Sequence, residues 1–145
     1  MKSDRSGDVQ YAALPWRRRG EGAEVLLVTS RRTKRWIVPK GWPIEGLEPA
    51  RTAAQEALEE AGVEGRTGPL IGAYHYDKQL KNGGVRRLRV ELYPLEVDIE
   101  FAEWPEATER TRRWLSPSEA AELVHEPELS ALLTGFSAPS APQRT

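Results

Sequence analysis

Cysteine is missing from the 145 residues altogether, which excludes disulfides, thiolate metal sites and thiol nucleophiles within this chain. Histidine is scarce. His75 and His125 stand far apart, neither with a partner at metal-ligand spacing, so each reads as a structural residue. No apolar run approaches the length that crosses a bilayer. Met1 to Gln10 is polar and lacks the apolar segment of a signal peptide. These absences predict a soluble cytoplasmic protein with no membrane partner. There is no Walker-type loop, no hydroxyl-nucleophile motif and no internal repeat. An excess of charge is missing too. With 21 Lys and Arg against 22 Asp and Glu, the formal net charge is −1, and bulk charge does not announce a nucleic-acid partner.

What remains is one domain's worth of chain. Residues 1–7 are polar, and Ser137 to Thr145 is rich in Ser, Ala and Pro. Both ends are expected to be flexible, leaving a domain over residues 8–136. Within it, Val9–Trp16 and Ala23–Thr29 read as strands about a turn at Arg19-Gly20-Glu21-Gly22. Trp36–Pro39 reads as a short extended piece, followed by a Gly- and Pro-containing loop from Lys40 to Gly46. Pro49–Ala61 carries helix formers and stops at Gly62. Leu70–Asp77 is a strand candidate, and Asn82-Gly83-Gly84 is a hairpin signal. Leu88, Val90 and Leu92 then alternate with polar residues. The parity shifts at Pro94, as at a bulge or an edge, to Leu95, Val97 and Ile99. Arg113–Leu115 forms a short strand. A helix capped by Ser116 follows, and Pro127–Leu133 forms a last helix. This order predicts an α+β fold.

The chemistry concentrates in Gly41–Val63. At about 100° per residue, Glu56, Glu59 and Glu60 share one arc of the helix, while Ala54, Ala57, Leu58 and Ala61 take the opposite side. Carboxylates so close repel one another, and a divalent cation relieves the repulsion. Mg²⁺ suits a site of a few carboxylates completed by water and substrate phosphate. Gly41 lets backbone approach the same place, and the helix N-terminus favours anions.

The segment resembles the Nudix box: Gly, five residues, Glu, seven residues, Arg-Glu, apolar, any, Glu-Glu, any, Gly, apolar. Gly41, Glu56, Glu59-Glu60 and Gly62-Val63 take their places without a gap. Leu47 stands where the first glutamate belongs, beside Glu48, and Gln55 where the arginine belongs. Losing both charges leaves neither partner unpaired. Val38-Pro39-Lys40-Gly41-Trp42-Pro43, and the stretch from Trp104-Pro105-Glu106 to Arg113-Trp114-Leu115-Ser116, resemble bacterial relatives of diphosphoinositol polyphosphate phosphohydrolases.

The resemblance implies the Nudix fold, a mixed β-sheet sandwiched between helices, and Mg²⁺- or Mn²⁺-dependent hydrolysis of a phosphoanhydride. It implies Glu59 and Glu60 as metal ligands, with Glu56 a further ligand or the group that positions the attacking water. The carbonyl of Gly41 or Lys40 is an added ligand. Glu109, with Glu106 behind it, is the candidate for a further ligand or base. Basic residues cluster at Arg17-Arg18-Arg19, Arg31-Arg32, Lys34-Arg35 and Arg86-Arg87. Of these, Arg17, Arg19, Arg31 and Arg35, together with Lys40, are candidates to bind a small polyphosphorylated substrate, because guanidinium groups grip phosphate bidentately. Trp42 is a candidate to stack on a base or sugar. The departures at Leu47 and Gln55 leave one rival open, a Nudix-fold module that binds a phosphorylated ligand with weakened catalysis.

Overall fold

In a computed structural model of the chain, residues 8–139 are described. The strands are β1 (Val9–Arg19), β2 (Gly22–Thr29), β3 (Trp36–Ile37), β4 (Lys40–Gly41), β5 (Val63–Thr67), β6 (Gly72–Gln79), β7 (Val85–Glu100) and β8 (Arg112–Leu115). The helices are α1 (Pro49–Ala61), α2 (Pro117–Leu123) and α3 (Pro127–Thr134). The strands form one mixed sheet. β1 and β7 run parallel at its centre, and the other pairings are antiparallel. Among the described residues no helix is long and apolar enough to cross a membrane.

Side-chain alternation sends each central strand into two cores. Ala12, Leu14 and Trp16 of β1, with Val25 and Leu27 of β2, pack with Ala120, Leu129 and Leu133 of α2 and α3. Ala13, Leu26 and Val28 point the other way, onto Ala53, Ala57 and Ala61 of α1. Alanines at every fourth position let α1 lie close to the sheet. The buried side of α1 is therefore centred on Ala53 and Ala57 rather than on the expected Ala54 and Leu58, which are only half-buried. The sheet lies between helices, as the α+β reading expects.

The bulge or edge expected at Pro94 is not there. β7 runs unbroken through it, paired with β1 at Leu14. The parity shift has another cause: Leu88, Val90 and Leu92 feed the α2–α3 core, and Leu95 feeds the α1 core. The irregularity falls later, where Glu64 and Gly65 of β5 face Ile99 and Val97. A Cβ on Gly65 would overlap the Glu96 carbonyl, so the strand needs glycine there. β5 itself, with only five residues, was not evident from the sequence. At the C-terminal end, Ala138 packs against the core and Arg18 donates to the Pro139 carbonyl at 2.7 Å, so order continues past Phe136. The rest of the expected flexible ends, residues 1–7 and 140–145, lies outside the described residues.

Candidate active site

Glu56 and Glu60 are one helical turn apart on α1, and both line a cavity of about 470 Å³. Their carboxyl groups lie within hydrogen-bonding reach of each other. Gly41 of β4 forms the facing wall. A Cβ there would overlap the Glu56 carboxyl group, so only glycine admits this approach of helix to strand. The Lys40 amide N–H donates to Glu60 Oε1 at 3.3 Å. Burial, then the nearby Glu60 charge, pushes the Glu56 carboxyl up to about 8. Burial raises Glu60 as well, against the opposing pull of Arg110 and Lys40.

Glu59 does not join them. It sits about 100° from Glu60 around the helix, and its carboxylate accepts a hydrogen bond from the Gln55 side chain at 2.7 Å. It is not among the residues lining the cavity. The third carboxylate there is Glu106, held by Arg110 at 2.6 Å. Glu109, the first choice from sequence, is half-exposed outside the cavity and accepts from Arg31 at 3.3 Å. The turn from Trp104 to Arg110 explains the exchange. The Glu106 N–H donates to the Glu59 carbonyl, which brings Glu106 onto the helix and leaves Glu109 facing the Arg31–Lys34 loop.

The expected basic residues divide in the same way. Arg31 and Lys40 line the cavity, joined by Lys78 and Arg110. Burial lowers the pKa of the Lys40 ammonium, Glu60 pulls it back up, and its Nζ lies 4.9 Å from the centre of the Tyr76 ring. Trp42 lines the rim, 40% exposed, with the Arg86 guanidinium 5.7 Å from its ring centre. Arg17 and Arg19 lie elsewhere. β1 meets β4 at Tyr11 and Ala12, and Arg17 follows six residues later, roughly 20 Å along an extended strand. There Arg17 pairs with Glu24 at 2.7 Å and stacks over Trp114, while Arg19 is exposed near the same Glu24. Arg35 lines a separate cavity with His75, His125 and Glu128, on the other side of Tyr76. His75 has the structural role read from sequence: its backbone N–H and ring Nδ1 both meet Glu128 of α3, at 2.7 and 3.1 Å.

Sequence reasoning missed how the C-terminal end of α1 is fastened. The last carbonyls of a helix have no partner within it. Here the Glu106 N–H meets the Glu59 carbonyl, the Trp104 indole N–H donates to that of Glu60 at 3.0 Å, and Arg112 donates to that of Ala61 at 2.8 Å. Phe101 N–H completes the set at Gly62, whose φ of 70° is the left-handed conformation that ends the helix. Arg112 stacks over Trp104, 3.9 Å from the ring centre. The Trp104–Ser116 stretch singled out in the sequence is thus the clasp on the helix that carries Glu56 and Glu60.

A NUDIX domain model matches residues 9–134, nearly all of the described chain. The chain belongs to the NUDIX family. It is 37% identical over 126 residues to Nudix hydrolase 16, mitochondrial, of Arabidopsis thaliana, which covers 81% of this chain and 67% of that protein. It is 34% identical over 135 residues to diphosphoinositol polyphosphate phosphohydrolase 3-beta of Homo sapiens, covering 82% and 79%. Nudix hydrolase 21, chloroplastic, of Arabidopsis thaliana is 34% identical, and this chain spans 63% of its length. Among solved structures, the E. coli dihydroneopterin triphosphate pyrophosphohydrolase superposes with a TM-score of 0.68 at 18% identity, covering 89% of this chain and 94% of that one. At that identity the likeness shows the fold, and it is the Nudix fold. With the family and its named phosphohydrolase relatives, the chain is a Nudix pyrophosphohydrolase.

Do these residues fit the divalent cation that the family implies? Among the described residues, no three His, Asp or Glu side chains are gathered in a metal-holding arrangement. Two carboxylates facing each other in a partly buried cavity are nevertheless a hard-oxygen donor pair, and Glu56, at about 8, shows the cost of leaving them without a cation. Mg²⁺ is commonly held by one or two carboxylates, with water and substrate phosphates supplying the rest. The residues present fit it.

Proposed function

We propose that this Nudix enzyme hydrolyses a phosphoanhydride bond in a small, multiply phosphorylated substrate of the diphosphoinositol polyphosphate or dinucleoside polyphosphate type, with Mg²⁺ or Mn²⁺ bound at Glu56 and Glu60. One observation carries the reading: the facing pair Glu56 and Glu60 shares its cavity with Arg31, Lys40 and Lys78. Carboxylates for a cation and cations for phosphate stand within one space. The relatives named diphosphoinositol polyphosphate phosphohydrolases support the substrate class.

Glu56 and Glu60 would hold the cation, with the Gly41 or Lys40 carbonyl beside them. When bound, the cation supplies positive charge against the phosphate oxygens and acidifies water. Where it does not hold the cation itself, Glu56 would position the attacking water and take its proton. Glu106 is a second candidate for that proton, on the same cavity. Arg31, Lys40 and Lys78 would neutralise the phosphate groups and orient the chain of anhydrides, which supplies most of the rate in phosphoryl transfer. Trp42 would offer its ring at the rim to the non-phosphate part of the substrate. Glu59 stays with Gln55, outside this set.

The test is phosphate release from a panel of diphosphoinositol polyphosphates, dinucleoside polyphosphates, nucleotide sugars, NADH and nucleoside triphosphates, with and without EDTA, at two salt concentrations. The expected result is metal-dependent turnover favouring the most phosphorylated compounds and weakening with salt. Turnover unaffected by EDTA sinks the metal site. Equal turnover of NADH with no salt dependence sinks the substrate class. Tight binding with no turnover of any compound sinks the hydrolytic reading itself and restores the binding module.

A further inference from the structure

Arg110 is a guanidinium buried against the reactive cavity, its side chain 8% exposed. Each of its three nitrogens faces an oxygen of the chain. Nε donates to Glu106 Oε1 at 2.6 Å, Nη1 donates to the Thr29 carbonyl at 3.0 Å, and Nη2 lies 3.7 Å from Glu60 Oε2. These three oxygens come from three parts of the chain: the end of β2, the middle of the Trp104–Arg110 turn, and α1. The anchor on β2 is reinforced, because the Thr29 N–H donates to the Thr111 carbonyl at 3.0 Å and the Thr111 N–H donates to the Thr29 hydroxyl oxygen at 2.9 Å. Arg31, by contrast, is 58% exposed, and its guanidinium meets only the exposed Glu109, at 3.3 Å.

We propose that Arg110 is a positioning residue. It holds Glu60 and Glu106 at the cavity in the orientation turnover needs, by a hydrogen bond to one and an ion pair with the other, and acts through these carboxylates rather than on the substrate. The inference rests on the reading of Glu56 and Glu60 as the working carboxylates. Only a planar fork donates to the Glu106 carboxylate and the Thr29 carbonyl while turning its third nitrogen toward Glu60, so lysine keeps the charge but not the arrangement. Nothing local to Arg110 in the sequence hints at this role. Arg110 lies outside the box and looks like one of many arginines, and the box position where an arginine is expected holds Gln55, whose amide is given to Glu59.

The first measurement needs neither metal nor substrate. Carboxyl ¹³C resonances of the glutamates, assigned with Glu60→Gln and Glu106→Gln, are compared between wild type and Arg110→Lys. The expected result is movement of the Glu60 and Glu106 signals, and of Glu56 through Glu60, with the glutamates outside the cavity unchanged. Unmoved signals overturn the proposal. The second is kinetic. Arg110→Lys is expected to lower kcat at least about tenfold with KM within about twofold, and millimolar guanidinium ion is expected to restore part of the lost rate to Arg110→Ala. A raised KM with kcat preserved overturns the proposal in favour of direct substrate binding. If Arg110→Ala fails to fold, the lysine variant still decides. If wild type turns over nothing in the panel, the hydrolytic reading fails alone, because the resonances still report whether Arg110 holds the two carboxylates.

Discussion

At its C-terminal end α1 is fastened by residues far downstream: Trp104, Glu106 and Arg112 each bond a helix carbonyl, and Gly62 closes the turn. At its N-terminal end the helix follows Glu48, whose side chain caps nothing, and Leu47 is 37% exposed. The downstream bonds gather on the turn that carries Glu60. The box glutamate is lost at Leu47, before the helix, and the arginine at Gln55, in its middle, both ahead of that turn. Glu56, Glu60 and Gly41 are all present.

The largest effect should come from the fastened end. Glu60→Gln keeps the volume but removes the charge that would face the cation, and should lower kcat by about tenfold to a thousandfold. Steady-state kinetics in saturating Mg²⁺ check this. A loss of less than about threefold would mean that the clasp guards a carboxylate the reaction does not use.

Gly62→Ala attacks the clasp itself. The φ of 70° disfavours any side chain, and a Cβ there would overlap Trp104 and the Arg112 guanidinium. The left-handed backbone alone costs roughly 1 kcal/mol, and displacing the clasp should bring the total to about 2–3 kcal/mol. Urea unfolding gives the number, and kcat should fall alongside stability as Glu60 loses its support. Unchanged stability would show that the helix end does not depend on Trp104 and Arg112.

This comparison also marks what could be read from sequence. The bounds of α1 were legible because Pro49 and Gly62 are local signals, and Gly41, Glu56 and Glu60 were legible because spacing places them. The α2 cap was legible for the same reason: Ser116 and Glu119 bond reciprocally as a capping box. What comes from a distance was not legible. Nothing near Glu106 or Glu109 tells which of them turns toward α1, since a backbone hydrogen bond to Glu59 decides it. Arg17 and Arg19 were misplaced because adjacency to a strand near the site says nothing about which end of that strand the site occupies. Glu59 was grouped with its neighbours by helical arc and by its place in the box, and neither shows that its carboxylate accepts a hydrogen bond from Gln55.

A third, smaller effect follows from charge. A carboxyl group whose folded pKa lies above its unfolded value binds a proton in the folded state after the unfolded chain has lost it. Stability then falls as pH rises through the interval between the two. For Glu56 that interval runs from about 4.5 to about 8, and Glu60 is shifted in the same direction. Metal-free protein in EDTA should therefore lose thermal stability as pH rises from 5 to 8. Mg²⁺ or Glu56→Gln should flatten the slope. A melting temperature that holds level across this range without metal would remove the argument that the pair is built around a cation.

The smallest effect should come from the loose end. Leu47→Glu and Gln55→Arg, made singly and together, restore the family's charges at positions that here border an open groove with Arg51 and Leu58, away from the cavity of Glu56 and Glu60. Gln55→Arg retains a donor for Glu59, so that carboxylate keeps a partner. Surface changes of this kind usually shift stability by no more than about 0.5 kcal/mol, and kcat should stay within about threefold of wild type. The double variant is the sharper probe, since its two new charges border the same groove. A rise in kcat of tenfold or more would show that the N-terminal end of the helix governs the carboxylates after all. The chain would then be a weakened enzyme whose departures from the box cost it activity, and the asymmetry between the two ends of α1 would be one of packing alone.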